Sequence, residues 1–200
     1  GLSPAQQLAD IREEVMSQYE AVSKYFMSEI APALAAEGIG FSDYSTLDAE
    51  DREYLDIQFH ELVFPVVTPL AVDPAHPFPY ISNLSLNLAI TVRNPDTDLT
   101  KFARIKIPPL LPRFLVLPDG ERFVPLEQLI AAHIDTLFPG MEVLRHHAFR
   151  VTRNADFEIE EDEGGDLLMA IESELTQRRF GHIVRLEVQP DMPAEILDLL

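Results

Sequence analysis

The chain has 200 residues, 46% of them hydrophobic, enough to bury a core in one or two domains. Its 34 acidic residues against 15 basic ones give a formal net charge of -19, which argues against non-specific binding to nucleic acid or to an anionic membrane. The absence of cysteine excludes disulfides, a thiolate nucleophile and a cysteine zinc site, and fits a cytoplasmic protein. No apolar run approaches the roughly 20 residues needed to span a bilayer, and the opening GLSPAQQ lacks the features of a signal peptide.

Ser3 and Pro4 form a helix start signal, and Leu8, Ile11, Val15, Tyr19, Val22 and Phe26 follow at helical spacing, predicting one buried face. Pro32 predicts a kink or break, because it lacks a backbone donor and clashes with the preceding turn, and Gly38 a stop. A second helix is predicted over residues 48–62, with Asp48 and Asp51 as a capping pair and Leu55, Phe59 and Leu62 on its inner stripe. Residues 68–90, TPLAVDPAHPFPYISNLSLNLAI, then crowd four prolines ahead of an alternating run. Such prolines reduce the entropy of the unfolded chain and fix the path into a strand. From Leu84 the run places Leu84, Leu86, Leu88, Ile90 and Val92 on one face and Ser85, Asn87, Ala89, Thr91 and Arg93 on the other, a half-buried strand.

RNPDTD reads as a turn, FARIKI as a second strand, and FLVL-PDG-RFV as a hairpin-like unit. Residues 126–138 read as a helix with Leu126, Leu129, Ile130, Ile134 and Leu137 inward, and residues 141–156 as one long strand or two short ones. An acidic stretch then leads into a helix ending near Phe180 with Leu168, Ile171 and Leu175 on one side, and IVRLEV is the last strand. The closing DMPAEILDLL reads as a helix beginning, capped by Asp191, and both ends read as cut from something longer. The order defines an α+β fold: long N-terminal helices, then a mixed or antiparallel sheet with two long helices packed on one face.

The six histidines offer no pair at metal-ligand spacing; His146 and His147 are adjacent in a predicted strand and face opposite ways, and His133 reads as a satisfied core histidine. DFEIEEDEGGD lacks the spacing of a calcium loop and reads as a solvated helix entry. Glycine-rich phosphate loops and a G-x-S-x-G elbow are absent. In FRVTRNAD, Arg150, Thr152 and Asn154 share a face and Arg153 lies opposite; Arg150 suits either an anionic ligand or a cross-strand ion pair. The residues alone thus describe an α+β domain without a catalytic, cofactor-binding or metal constellation.

The segments FPVVTPLAVDPAHPFPYISNLSLNLAI, FARIKIPPLLPRFLVLP, FVPLEQLIAAHIDTLFPGMEV, HHAFRVTRNADFEIEEDE, ESELTQRRFG and VRLEVQPDMP resemble, in order, the head (middle) domain of the bacterial phosphohistidine-type polyphosphate kinases. The resemblance implies residues 1–40 as the helical tail of an N-terminal domain and 41–200 as the head. It implies a parent enzyme that reversibly transfers the terminal phosphate of ATP to inorganic polyphosphate with magnesium. The family's phosphorylated histidine, magnesium ligands and most ATP contacts lie in C-terminal domains, and none of the six histidines here matches the phosphorylated one. Implied partners are the other domains of the same kinase, further copies in a homo-oligomer and polyphosphate, with no nucleic acid and no transmembrane segment. The implied location is cytoplasmic, with peripheral membrane docking of the parent left open. A rival reading makes this segment an anion-binding module, which requires Arg104, Lys106, Arg113, Arg150 and Arg153 to gather on one surface.

Overall fold

The structure, a computed structural model, describes residues 2–72, 79–154 and 181–200. It divides into two compact units that interleave in sequence: residues up to 54 with 114–125, and residues 55–113 with 126–200.

The first unit opens with helix α1, Pro4–Tyr25, started by a reciprocal capping box between Ser3 and Gln6. A π-helical segment, Phe26–Ile30, joins it to helix α2, Ala31–Ala36. Pro32 therefore does not break the helix. The wider turn already sends the Ala31 N–H back to the Phe26 carbonyl, so the missing proline donor falls where the hydrogen-bond register is shifting. Gly38 ends α2 at φ +79°, where its lack of a Cβ avoids strain, and Ile39 N–H returns to the Leu34 carbonyl. The expected buried face of α1 is not buried within the described residues: Leu8 and Val22 are each 68% exposed.

Strand β1, Gly40–Phe41, pairs in parallel with β6, Arg122–Pro125, which pairs antiparallel with β5, Phe114–Val116. The predicted hairpin-like unit is thus real but belongs to a small mixed sheet of its own. Phe41 packs against Phe26 and Phe114 at ring-centroid distances of 5.9 and 5.4 Å. Arg122 is held by Asp119 and by Asp51, whose carboxylate it meets at 2.6 and 3.1 Å.

Helix α3, Ala49–Gln58, has Asp48 accepting from Asp51 N–H at 2.9 Å, and the division between units falls inside it. A second π-helical segment, Phe59–Val63, follows, and again a proline, Pro65, comes just after the wide turn. The inner stripe becomes Leu55, Phe59 and Val63; Leu62, expected inward, is 48% exposed.

The second unit is built on a five-stranded antiparallel sheet in the order β2-β4-β3-β7-β8. Its strands are β2, Pro69–Val72; β3, Leu86–Arg93; β4, Thr100–Lys106; β7, Glu142–Arg153; and β8, Ile183–Val188. The β3–β4 turn follows the RNPDTD reading, with Asn94 Oδ1 accepting from the Asp96 and Thr97 amides. Strand β3 is central and buried on both faces rather than half-buried: Ala89 and Asn87 are as inaccessible as Leu88 and Ile90. The face of Ala89, Phe102, Phe149 and Val151 is covered by Ile81, Met192 and Ile196. The last two belong to the C-terminal segment and helix α6, Ala194–Leu197, where Pro193 rather than Asp191 occupies the cap position.

Residues 126–138 form two short helices, α4 Leu126–Ala132 and α5 Ile134–Leu137, interrupted at His133. His133 is satisfied as expected: Nδ1 lies 2.9 Å from the Leu129 carbonyl, Nε2 2.8 Å from Asp56, and the ring stacks on Phe59 at 4.1 Å. The acidic stretch, the helix ending near Phe180 and the prolines at 74 and 77 lie outside the described residues. The whole is α+β.

Candidate anion-binding residues

The strand register separates the five basic candidates into two groups. Arg104 and Lys106 of β4 stand opposite Ala89 and Asn87, on one face of the sheet, whereas Arg150 of β7 stands opposite Leu86, on the other. Arg150 makes a two-pronged ion pair with Glu187, its partner across β7–β8, at 2.8 and 2.9 Å. That hydrogen bond, more than the accompanying attraction, holds the Glu187 carboxyl below its usual range. Arg113 makes a similar pair with Glu127 of α4. Both arginines line a cleft of about 340 Å³ whose remaining wall is mainly apolar, including Leu84, Leu86, Ile107 and Pro108. Leu84 itself has φ +58°, the left-handed region that a leucine enters at a cost, and is 59% exposed.

The other three converge on the segment that crosses the sheet before β3. Arg104, 4% exposed, donates through Nε to Asn87 Oδ1 at 2.8 Å and through Nη1 to the Tyr80 carbonyl at 3.3 Å. Lys106 Nζ reaches Ser82 Oγ at 3.1 Å. Arg153 donates to the Ile81 and Gly181 carbonyls, each at 2.8 Å, and its guanidinium lies 4.2 Å from the Tyr80 ring centroid. The backbone N–H of Arg153 is accepted by Asn83 Oδ1 at 2.8 Å. Gly181 sits so close to Asn154 that an added Cβ would lie 2.1 Å from its carbonyl oxygen. Burial without a carboxylate pulls the Arg104 pKa down. Among the described residues no ion pair involves Arg104, Lys106 or Arg153.

The histidines do not form a site with these cations. His146 and His147 are opposite Ile90 and Ala89, so they lie on opposite faces. His147 is buried, with no hydrogen-bond partner for Nδ1 among the described residues and with Nε2 3.9 Å from Asp191. Burial, then the neighbouring His147, lowers the His146 pKa. Among the described residues no three histidine or carboxylate side chains converge to hold a metal. No described helix is long and apolar enough to cross a membrane.

Strand pairing and the strap at residues 79–83 were not visible as a site in sequence. The signal available was the alternation of cations at Arg104 and Lys106, two apart in a strand and so on one face.

Fold and side chains together define an α+β module whose basic candidates bind carboxylates, main-chain oxygens and the side-chain oxygens of Asn87 and Ser82. A family model, the polyphosphate kinase middle domain, matches residues 50–200, and this chain belongs to that family. It is 54% identical over 206 residues to a polyphosphate kinase of Mycolicibacterium gilvum and 52% identical over 210 residues to one of Mycobacterium ulcerans, covering 100% of this chain and 28% of each relative. The crystal structure of polyphosphate kinase from Porphyromonas gingivalis superposes with a TM-score of 0.76 at 27% identity, covering 97% of this chain and 28% of that one. The chain therefore spans a little over a quarter of the length of these relatives.

Proposed function

We propose that the chain is a structural segment of a polyphosphate kinase that reversibly transfers the terminal phosphate of ATP to inorganic polyphosphate. The observation that carries this reading is the family match over residues 50–200, with 54% identity to a polyphosphate kinase along the whole chain. Residues 1–40 are then the tail of an N-terminal domain and 41–200 the head. ATP, magnesium and the phosphorylated histidine act through other parts of the enzyme. The arrangement of the basic groups supports this division. Phosphoryl transfer through a phosphohistidine needs cations around the migrating phosphate and a free imidazole beside them. Here Arg113 and Arg150 are occupied by glutamates, and both nitrogens of His133 are engaged. The head in this reading serves subunit contacts in a cytoplasmic homo-oligomer.

The test is incubation of the chain with labelled ATP and magnesium. No polyphosphate and no acid-labile label on the protein are expected, whereas the intact enzyme makes polymer. Label on His146 or His147, lost on substitution by alanine, would place the chemistry inside these residues after all. Sedimentation of the same chain checks assembly, and a strict monomer at high concentration would count against a self-sufficient interface.

A further inference from the structure

We infer that Lys106 and Arg153, seated on the 79–83 strap and backed by buried Arg104, form a docking site for phosphates several units apart along a linear polyphosphate. The inference rests on the reading of the parent as a polyphosphate kinase and assigns this face a direct part in handling the polymer.

The first support is a local charge imbalance. The chain carries 34 acids against 15 bases, yet three cations gather here with no carboxylate partner among the described residues. Elsewhere Arg93, Arg113, Arg122 and Arg150 all have one. A cation withdrawn from water is costly unless an opposite charge or full hydrogen bonding compensates it. Arg104, at 4% exposure, has only an amide oxygen and a peptide carbonyl as its acceptors. It contributes a positive potential beneath the strap without an ion-pair partner among the described residues.

The second support is preorganisation with donors to spare. Successive residues Tyr80, Ile81 and Ser82 receive Arg104, Arg153 and Lys106, so the three cationic heads lie within a few residue spacings of one another. The Arg153 guanidinium is oriented by two carbonyls and by the Tyr80 ring, yet its planar fork has more N–H groups than those two acceptors use. The Lys106 ammonium likewise has donors beyond the one given to Ser82. Both side chains spring from strands, and both residues are partly exposed, so an anion can reach them without the strap being displaced. A polymer of linked phosphates engages both heads at once. A single phosphate or a very short chain satisfies only one.

The Arg113–Arg150 cleft is the weaker anion site by the same physics. Each of its guanidiniums already has both prongs on a glutamate, and an incoming phosphate would have to displace a carboxylate.

The experiment is equilibrium binding of end-labelled polyphosphate to the intact enzyme at low salt, with a long chain and tripolyphosphate as the two probes. Lys106→Gln, Arg153→Gln and the double variant are compared with the unaltered enzyme. Each single change should weaken long-chain binding on the order of tenfold, the loss expected for one charged hydrogen bond. Tripolyphosphate affinity should stay the same, and Lys106→Arg should restore most of the long-chain affinity. Lys106→Gln loses one hydroxyl contact, so its melting temperature should hold even if Arg153→Gln loosens the strap. Unchanged long-chain binding in Lys106→Gln, or an equal loss for both probes, overturns the inference. Intact enzyme that binds the long chain through these residues but makes none from ATP would overturn the proposed function alone.

Discussion

Helix α1 leaves Leu8 and Val22 at 68% exposure, while strand β3 keeps Leu88, Ala89 and Ile90 at 2% or less. Both stretches carry clean apolar periodicity, at helical spacing in one and alternating in the other. The difference lies in what surrounds them. Strand β3 has β4 on one edge and β7 on the other, with side chains packed over its Ala89 face from the strap and the C-terminal segment. Helix α1 has its capping box and its own hydrogen bonds, with no buried residue anywhere along it. Periodicity specifies an element and the face it offers, and it says nothing about whether a neighbour arrives to cover that face.

The sharpest way to break this contrast is a matched pair of truncations. Phe149, 2% exposed and packed in the Ala89-face core, should lose about 3–5 kcal/mol of unfolding free energy on change to alanine. Val22→Ala in the same chain should stay within about 0.5 kcal/mol. Denaturant unfolding measures both, and a comparable loss at Val22 would mean that its stripe is covered in solution. The next largest effect should be a gain. Leu84 is exposed and left-handed, so Leu84→Asn should raise stability by roughly 1 kcal/mol by relieving backbone strain. A loss there would show that the leucine side chain packs more than its exposure suggests.

The smallest effect is acid-dependent and belongs to the first unit. A hydrogen bond from the Arg122 side chain, aided by the backbone amides of Arg122 and Glu121, brings the Asp119 carboxyl from 3.8 down to about 2. A group whose folded pKa is depressed stabilises the fold above its unfolded pKa and loses that contribution as pH falls through the folded one. Asp119 should therefore support the β5–β6 turn fully above about pH 4 and progressively less toward pH 2. Asp119→Ala should flatten that limb of a pH titration of stability. An unchanged acid limb would assign it to other carboxylates.

Much of the fold was legible in sequence because local chemistry decides it. Ser3 and Gln6 form the capping box, Gly38 takes the left-handed stop, and Asn94 closes the turn that its flanking strands need. Features set by non-local packing were harder to read. The helix continues past Pro32 because a π turn five residues long rearranges the hydrogen-bond register, and no single residue type announces that. The same wide turn after α3 moved Val63 inward in place of Leu62. Cations were visible as residue types, but their grouping was not. Glu187 lies 37 positions beyond Arg150 and the Ile81 carbonyl 72 positions before Arg153, so giving one cation a carboxylate and the other a main-chain carbonyl is a property of sheet register.

The parallel pairing of Gly40 with Arg122 has a consequence for the order of folding. Strand β1 is synthesised early but has no partner until the β5–β6 hairpin exists, about 80 residues later. In that interval β3 and β4 can already zip together across their short turn, because closing a long loop costs more chain entropy than closing a short one. The small sheet is thus a late event that ties an early segment to a later one. A chain begun just after Phe41 would leave one edge of β6 bare, and such an edge is where a nascent protein is most apt to pair with the wrong strand.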